Sequence, residues 1–117
     1  MISFSSAQRY FLYRGPADMR KSFDGLCGLV TAGLKRDPLS GEVFVFINRR
    51  RTHIKLLVWD RNGFVLFYKR LERGSFEIPE TGTPNWHQLV LMLEGISLKS
   101  VRYRKRYSRP ETNEKAA

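Results

Sequence analysis

A chain of 117 residues that is 42% hydrophobic suits one domain with one core, and its single cysteine excludes an internal disulfide. Lys and Arg total 21 against 11 Asp and Glu, and this formal charge of +10 attracts polyanions such as DNA or RNA. No segment has the length of a transmembrane span, and Met1 to Ser6 lacks the basic start and apolar block of a signal peptide, so the expectation is a cytoplasmic protein with no membrane partner.

Arg9 to Tyr13 reads as a short aromatic strand, broken by Gly15-Pro16. Asp18 is placed to cap a helix from about Met19 to Leu34, with Met19, Phe23, Leu26, Cys27, Val30 and Leu34 on one apolar face. Phe23 and Cys27 are therefore expected in the core. Gly25, Gly28 and Gly33 fall inside this helix, each costing roughly 1 kcal/mol against alanine. Such a cost points to close approach of another element or to a weak helix. Asp37-Pro38 ends the helix and Ser40-Gly41 makes a turn.

Val43 to Ile47 is a continuous apolar strand, Asn48 to Thr52 an arginine-rich loop, and His53 to Trp59 a second strand. Asp60-Arg61-Asn62-Gly63 is a strong hairpin turn leading into a third strand, Phe64 to Leu71. A two-residue turn and a three-residue turn with a bulge pair Trp59 differently, so the register stays open. After a loop at 74–82, Thr83-Pro84 offers a helix start, Trp86, Leu89, Val90 and Leu93 an apolar face, and Gly95 a C-cap. The expected fold class is α+β, a small antiparallel sheet of three or four strands packed against two helices. It forms one domain over residues 1–107, with a basic segment from about Lys99 and a disordered tail over 108–117.

The basic residues are segregated. Arg49 to Arg73 holds eight of them against two acids, and Lys99 to Arg109 holds six against none. Residues 1–42 are nearly balanced.

Together with this arginine hairpin, a series of spaced motifs carries a resemblance. The motifs are Gly15-Pro16-Ala17-Asp18-Met19-Arg20-Lys21-Ser22-Phe23-Asp24, Asp37-Pro38, Ser40-Gly41, Phe44-Val45-Phe46, Asn48-Arg49-Arg50, Lys55, Trp59-Asp60, Gly63-Phe64, Tyr68-Lys69-Arg70-Leu71 and Glu72-Arg73-Gly74. In this order they resemble the TnpB family of small accessory proteins, encoded by the second reading frame of bacterial insertion sequences of type 66. The match covers about Gly15 to Pro79, with a weaker echo at Leu89 to Gly95. Ile78 departs from the pattern, since the family commonly has an aromatic residue before the proline matching Pro79. The resemblance implies a cytoplasmic bacterial protein that works with a separate transposase, and it implies no catalytic activity.

Candidate contacts to phosphates are Arg49, Arg50 and Arg51, with Lys55, Lys69 and Arg70 extending the patch. Arg20 and Lys21 either join it or pair with Asp24. Arg102, Arg104, Lys105 and Arg106 add a second basic run. Phe44 and Phe46 faintly echo an RNA-stacking strand, but core packing explains them better, as it does Trp59 and Trp86. His53, His87 and Cys27 lack ligand spacing, so no metal site and no cofactor are expected. Asp18, Asp24, Asp60 and Glu72 have no nuclease-like arrangement, so no catalytic residue is assigned. The resulting expectation is a non-enzymatic DNA-binding accessory protein for transposition. The alternative is an adaptor that binds the transposase or another element-encoded protein, and RNA binding stays open on charge alone.

Overall fold

Val43 to Ile47 is apolar at every position, which suits a strand covered on both faces. The computed structural model describes residues 4–80 and 82–94, and it places this strand, β2 (Val43–Ile47), inside a four-stranded sheet. The spatial order is β1 (Tyr10–Leu12), β2, β3 (His53–Asp60) and β4 (Gly63–Arg70). Helices α1 (Phe23–Leu29) and α2 (Trp86–Glu94) complete an α+β fold. A π-helical turn, Val30–Leu34, extends α1. The expected basic segment from about Lys99, with Arg102, Arg104, Lys105 and Arg106, and the expected tail lie outside the described residues.

Strands β2, β3 and β4 form the expected antiparallel meander. Its hairpin register is now fixed. Asp60 pairs with Gly63 across a two-residue turn, which sets Trp59 opposite Phe64 with an edge-on ring contact at 5.0 Å. The positive φ of this turn, 58°, falls on Arg61 rather than on Asn62 or Gly63. β1 departs from the antiparallel expectation. It pairs parallel to β2, with Tyr10 opposite Val43 and Leu12 opposite Val45, so the sheet is mixed. A parallel pair needs a long crossover, and residues 13–42, which contain α1, supply it.

Strand alternation divides the core. Val43, Val45, Ile47, Ile54, Leu56 and Val58 face one side, where Phe76, Leu89 and Met92 cover them. Phe44, Phe46 and Leu57 face the other side with Leu26 and Val30. Phe44 and Phe46 are fully buried, consistent with packing rather than base stacking.

Helix α1 starts four residues later than the spacing predicts. Asp18 makes a turn instead of a cap. Its Oδ1 accepts from the Arg20 amide at 2.9 Å, and the Lys21 amide donates to its carbonyl. Phe23 thereby sits in the first helical turn and is 41% exposed, contrary to the core expectation. Cys27 is half-buried against the second cluster. Gly33 is the glycine that close approach demands, since a Cβ there would stand 2.6 Å from Tyr13 Cε1. Helix α2 is capped by Asn85, not Thr83. Asn85 Oδ1 accepts from the Gln88 amide, and Gln88 Oε1 accepts from the Asn85 amide, a reciprocal capping box.

Candidate nucleic-acid interface

The sheet topology brings distant basic segments to one end. β1 and β2 are parallel, so both finish at that end, where β3 begins and β4 finishes. The connections leaving there carry Arg14, Arg20 and Lys21 after β1, Arg49 to Arg51 after β2, and Arg73 after β4. The opposite end holds Arg9 and Arg36, which share Glu42, and the Asp60-Arg61 turn.

The arginine loop is built to stay in place. Asn48 Oδ1 accepts from the amides of Thr52 at 2.9 Å and His53 at 3.0 Å, while Asn48 Nδ2 donates to Thr52 Oγ1 at 3.1 Å. The Arg51 amide returns to the Asn48 carbonyl at 3.0 Å. From outside the loop, Phe76 and Leu71 donate their amides to the carbonyls of Arg51 and Thr52, at 2.7 and 2.8 Å. Side chains 49, 50 and 51 are exposed, and no acidic group among the described residues pairs with them. Arg51 adopts a φ of 60°, in the left-handed region that costs a side-chain-bearing residue roughly 1–2 kcal/mol.

A cavity of about 200 Å³ opens beside this loop. It lies between the strand ends Leu12 and Ile47 and takes in Arg14, Arg49 and Arg51. The Arg14 guanidinium donates to the carbonyls of Pro79 at 2.6 Å and of Gly82, fastening these two residues to the end of β1.

The remaining sequence candidates divide by their partners. Lys55 does not extend the surface patch. It is buried, its Nζ donates to the carbonyls of Met19 and Lys21 at 2.8 Å each, and it lies 4.6 Å from the Tyr68 ring centroid. Two carbonyls and a π-face replace the water lost by this ammonium group. Lys69 Nζ likewise donates to the Leu93 carbonyl near the end of α2, where the last helical carbonyls lack partners. Arg70 pairs with Glu72 at 2.9 Å. Arg20 pairs with Asp18 at 2.8 Å rather than with Asp24, and its hydrogen bonds hold the Asp18 carboxyl down to about 2. These local pairs cancel charge, and exposed pairs of this kind add little stability. Lys21 is exposed beside its pinned carbonyl.

A family model described as IS66 Orf2-like protein matches residues 8–103. The chain belongs to this family. Among similar proteins, the uncharacterized protein y4jC of Sinorhizobium fredii strain NGR234 is 32% identical over 114 residues, which is 94% of this chain and 97% of that protein. The uncharacterized protein y4hO of the same strain is 41% identical over 79 residues, 68% of this chain and 69% of that protein. No solved structure matches. IS66 Orf2-like proteins are accessory proteins of insertion-sequence transposition and not a known enzyme family.

In this IS66 Orf2-like protein no group of three or more His, Cys, Asp or Glu among the described residues could hold a metal ion. Among the same residues no helix is long and apolar enough to cross a membrane. Burial, with the nearby Asp24 carboxylate adding to it, pushes the Cys27 thiol above its ordinary range. A thiol so shifted stays protonated near neutral pH and is a poor nucleophile. Two residues of the sheet end escape the sequence reading as site residues. Asn48 carries a usable signal, because an Asn followed four residues later by Thr is able to close a loop on its own side chain. Arg14 carries none, because its partners Pro79 and Gly82 are 65 and 68 residues away.

Proposed function

We propose that this IS66 Orf2-like protein binds DNA as a non-enzymatic accessory factor in bacterial transposition, in the cytoplasm and alongside a separate transposase. One observation carries the reading: three adjacent exposed arginines, without acidic partners among the described residues, stand on a loop held by its own asparagine and by a neighbouring segment. A fixed loop loses little entropy on binding, so its charge is presented at low ordering cost. Guanidinium groups suit phosphates because their planar donors contact two oxygens at once. Contacts of this type position a protein on DNA without reading its sequence.

The test is a titration with element-end DNA and with random DNA at several salt concentrations, using the native protein and the triple variant Arg49→Ala, Arg50→Ala, Arg51→Ala. Equal weakening on both DNAs with a shallower salt dependence supports the reading. Unchanged DNA affinity with lost transposase binding transfers it to a protein-interaction adaptor. Unchanged binding of both partners makes the loop a solvated tip and removes it from either interface.

A further inference from the structure

The place and lining of the cavity say more than its charge. After β1 the chain crosses one face of the sheet to α1, whereas after β2 it turns within the sheet to β3. Diverging connections at the carboxyl ends of neighbouring parallel strands leave a crevice, the position where open sheets take ligands. Here the crevice has an apolar side, Leu12, Ile47 and Ile78, and a cationic side, Arg14, Arg49 and Arg51. No carboxylate lines it. Arg14 spends donors on the carbonyls of Pro79 and Gly82, which leaves Arg49 and Arg51 as the cations without such partners among the described residues. Arg50, between them in sequence, does not line the cavity.

We propose that this cavity receives one unpaired nucleotide at a DNA strand end, its phosphate on Arg49 and Arg51 and its base or sugar against the apolar side. The inference rests on the DNA-binding reading above and adds a specific ligand to it. Base-paired nucleotides inside a duplex offer phosphates to a convex surface but cannot place a whole nucleotide in a recess. A frayed or single-stranded end can, because its terminal nucleotide is free to splay out. The volume of about 200 Å³ lies under the roughly 300–1,000 Å³ typical of drug-sized ligand sites, so the recess has room for the sugar-phosphate or the base of one nucleotide with the rest at its open mouth, and none for an oligomer. The left-handed backbone of Arg51 also fits a site role, because a residue with a side chain costs stability at that position.

The position of Arg50 outside the cavity supplies the test. The protein is titrated with deoxyadenosine monophosphate while its arginine side-chain Nε–H signals are followed by NMR. Affinity is measured for a duplex with an unpaired 5′-phosphorylated end and for a closed dumbbell duplex without ends, using the native protein and the variants Arg49→Gln, Arg50→Gln and Arg51→Asn. The inference expects the nucleotide to shift the signals of Arg49 and Arg51 and not that of Arg50. It expects preference for the open end, lowered about tenfold by Arg49→Gln or Arg51→Asn, as for one lost charge-assisted hydrogen bond, whereas Arg50→Gln lowers affinity for both duplexes alike and leaves the preference in place. Equal binding of both duplexes with equal losses in all three variants overturns the cavity site and leaves the DNA-binding reading standing. Shifts by the mononucleotide without preference for the open end overturn the strand-end assignment. Failure to bind either duplex overturns both readings.

Discussion

Lys55 Nζ stands 2.8 Å from the carbonyl oxygen of Met19, across the space between β3 and the connection that leads into α1. A second bond reaches the Lys21 carbonyl, also at 2.8 Å. One ammonium group therefore anchors the pre-helical segment and takes up a carbonyl that a helix begun at Met19 would have used internally.

Replacing Lys55 with Met keeps the apolar stem but leaves both carbonyls without their donor. The expected loss is about 2–4 kcal/mol of folding stability, from an unmade charged hydrogen bond and poorly solvated carbonyls. Urea unfolding should show a lower midpoint at an unchanged slope. A stability equal to native would mean that water or a neighbour satisfies those carbonyls.

The boundaries of β2, β3 and β4 were legible to within about a residue because apolar runs and turn residues enforce them locally. The α+β class followed from the same pattern. The parallel pairing of β1 was not legible, since no local signal on Tyr10 to Leu12 states which strand it joins or in which direction. Helix starts failed for a related reason. Asp18 has a capping side chain, but the Lys55 bonds hold the Met19 and Lys21 carbonyls outside the helix; Thr83 and Asn85 both carry capping groups, and the reciprocal bonds with Gln88 fall to Asn85. At the candidate site, the exposed arginine loop was legible as charge on a tight connection. The withdrawal of Lys55 had a signal that was available: a lysine between Ile54 and Leu56 in a strand whose neighbours are apolar on both faces lies in a buried run. The engagement of Lys69 and Arg14 had none, because their acceptors are remote backbone carbonyls.

Two glycines of the first helical region should respond oppositely to alanine. At Gly33 the new Cβ meets the Tyr13 ring at 2.6 Å, so Gly33→Ala is expected to cost about 1–3 kcal/mol as the ring is pushed aside. At Gly28 a Cβ meets nothing within 4 Å, so Gly28→Ala should stabilise by roughly 0.5–1 kcal/mol through helix propensity alone. Thermal unfolding of the two variants checks the pair. Equal effects of the same sign would contradict the packing of the π-helical turn against Tyr13.

Glu42 ties together the end of the sheet remote from the arginine loop. Arg36 contacts both of its carboxylate oxygens at 2.8 Å, and Ser40 Oγ donates to one of them at 3.0 Å. The Arg36 hydrogen bonds, more than any other influence, hold its carboxyl below the ordinary value of 4.5. A depressed folded-state value means that the stabilisation is complete above the unfolded value and fades as the pH falls through the folded one. Stability should therefore decline below about pH 4.5, and Glu42→Gln should flatten that part of the curve while lowering stability at pH 7. Urea midpoints measured between pH 7 and pH 2 test this. An acid limb of unchanged steepness in the variant would assign it to other carboxylates.

Arg51 should show stability and binding moving in opposite directions. Its φ of 60° is one that glycine adopts without steric cost, whereas arginine places a Cβ against its own backbone. The loop does not depend on the side chain for its shape, because the bonds at this residue run through its amide and carbonyl. Arg51→Gly should thus raise stability by up to about 1 kcal/mol, the relief of the left-handed strain less the greater freedom glycine brings to the unfolded chain. On the DNA-binding reading the same change removes one phosphate contact, so affinity should fall and the slope of log K against log salt should become shallower by roughly 0.9 if the contact is to duplex DNA. Unfolding and DNA titration on this one variant separate the two effects. A variant that gains stability and binds DNA with the native salt slope would exclude Arg51 from the interface. A variant that loses stability would show that the arginine side chain holds the loop after all.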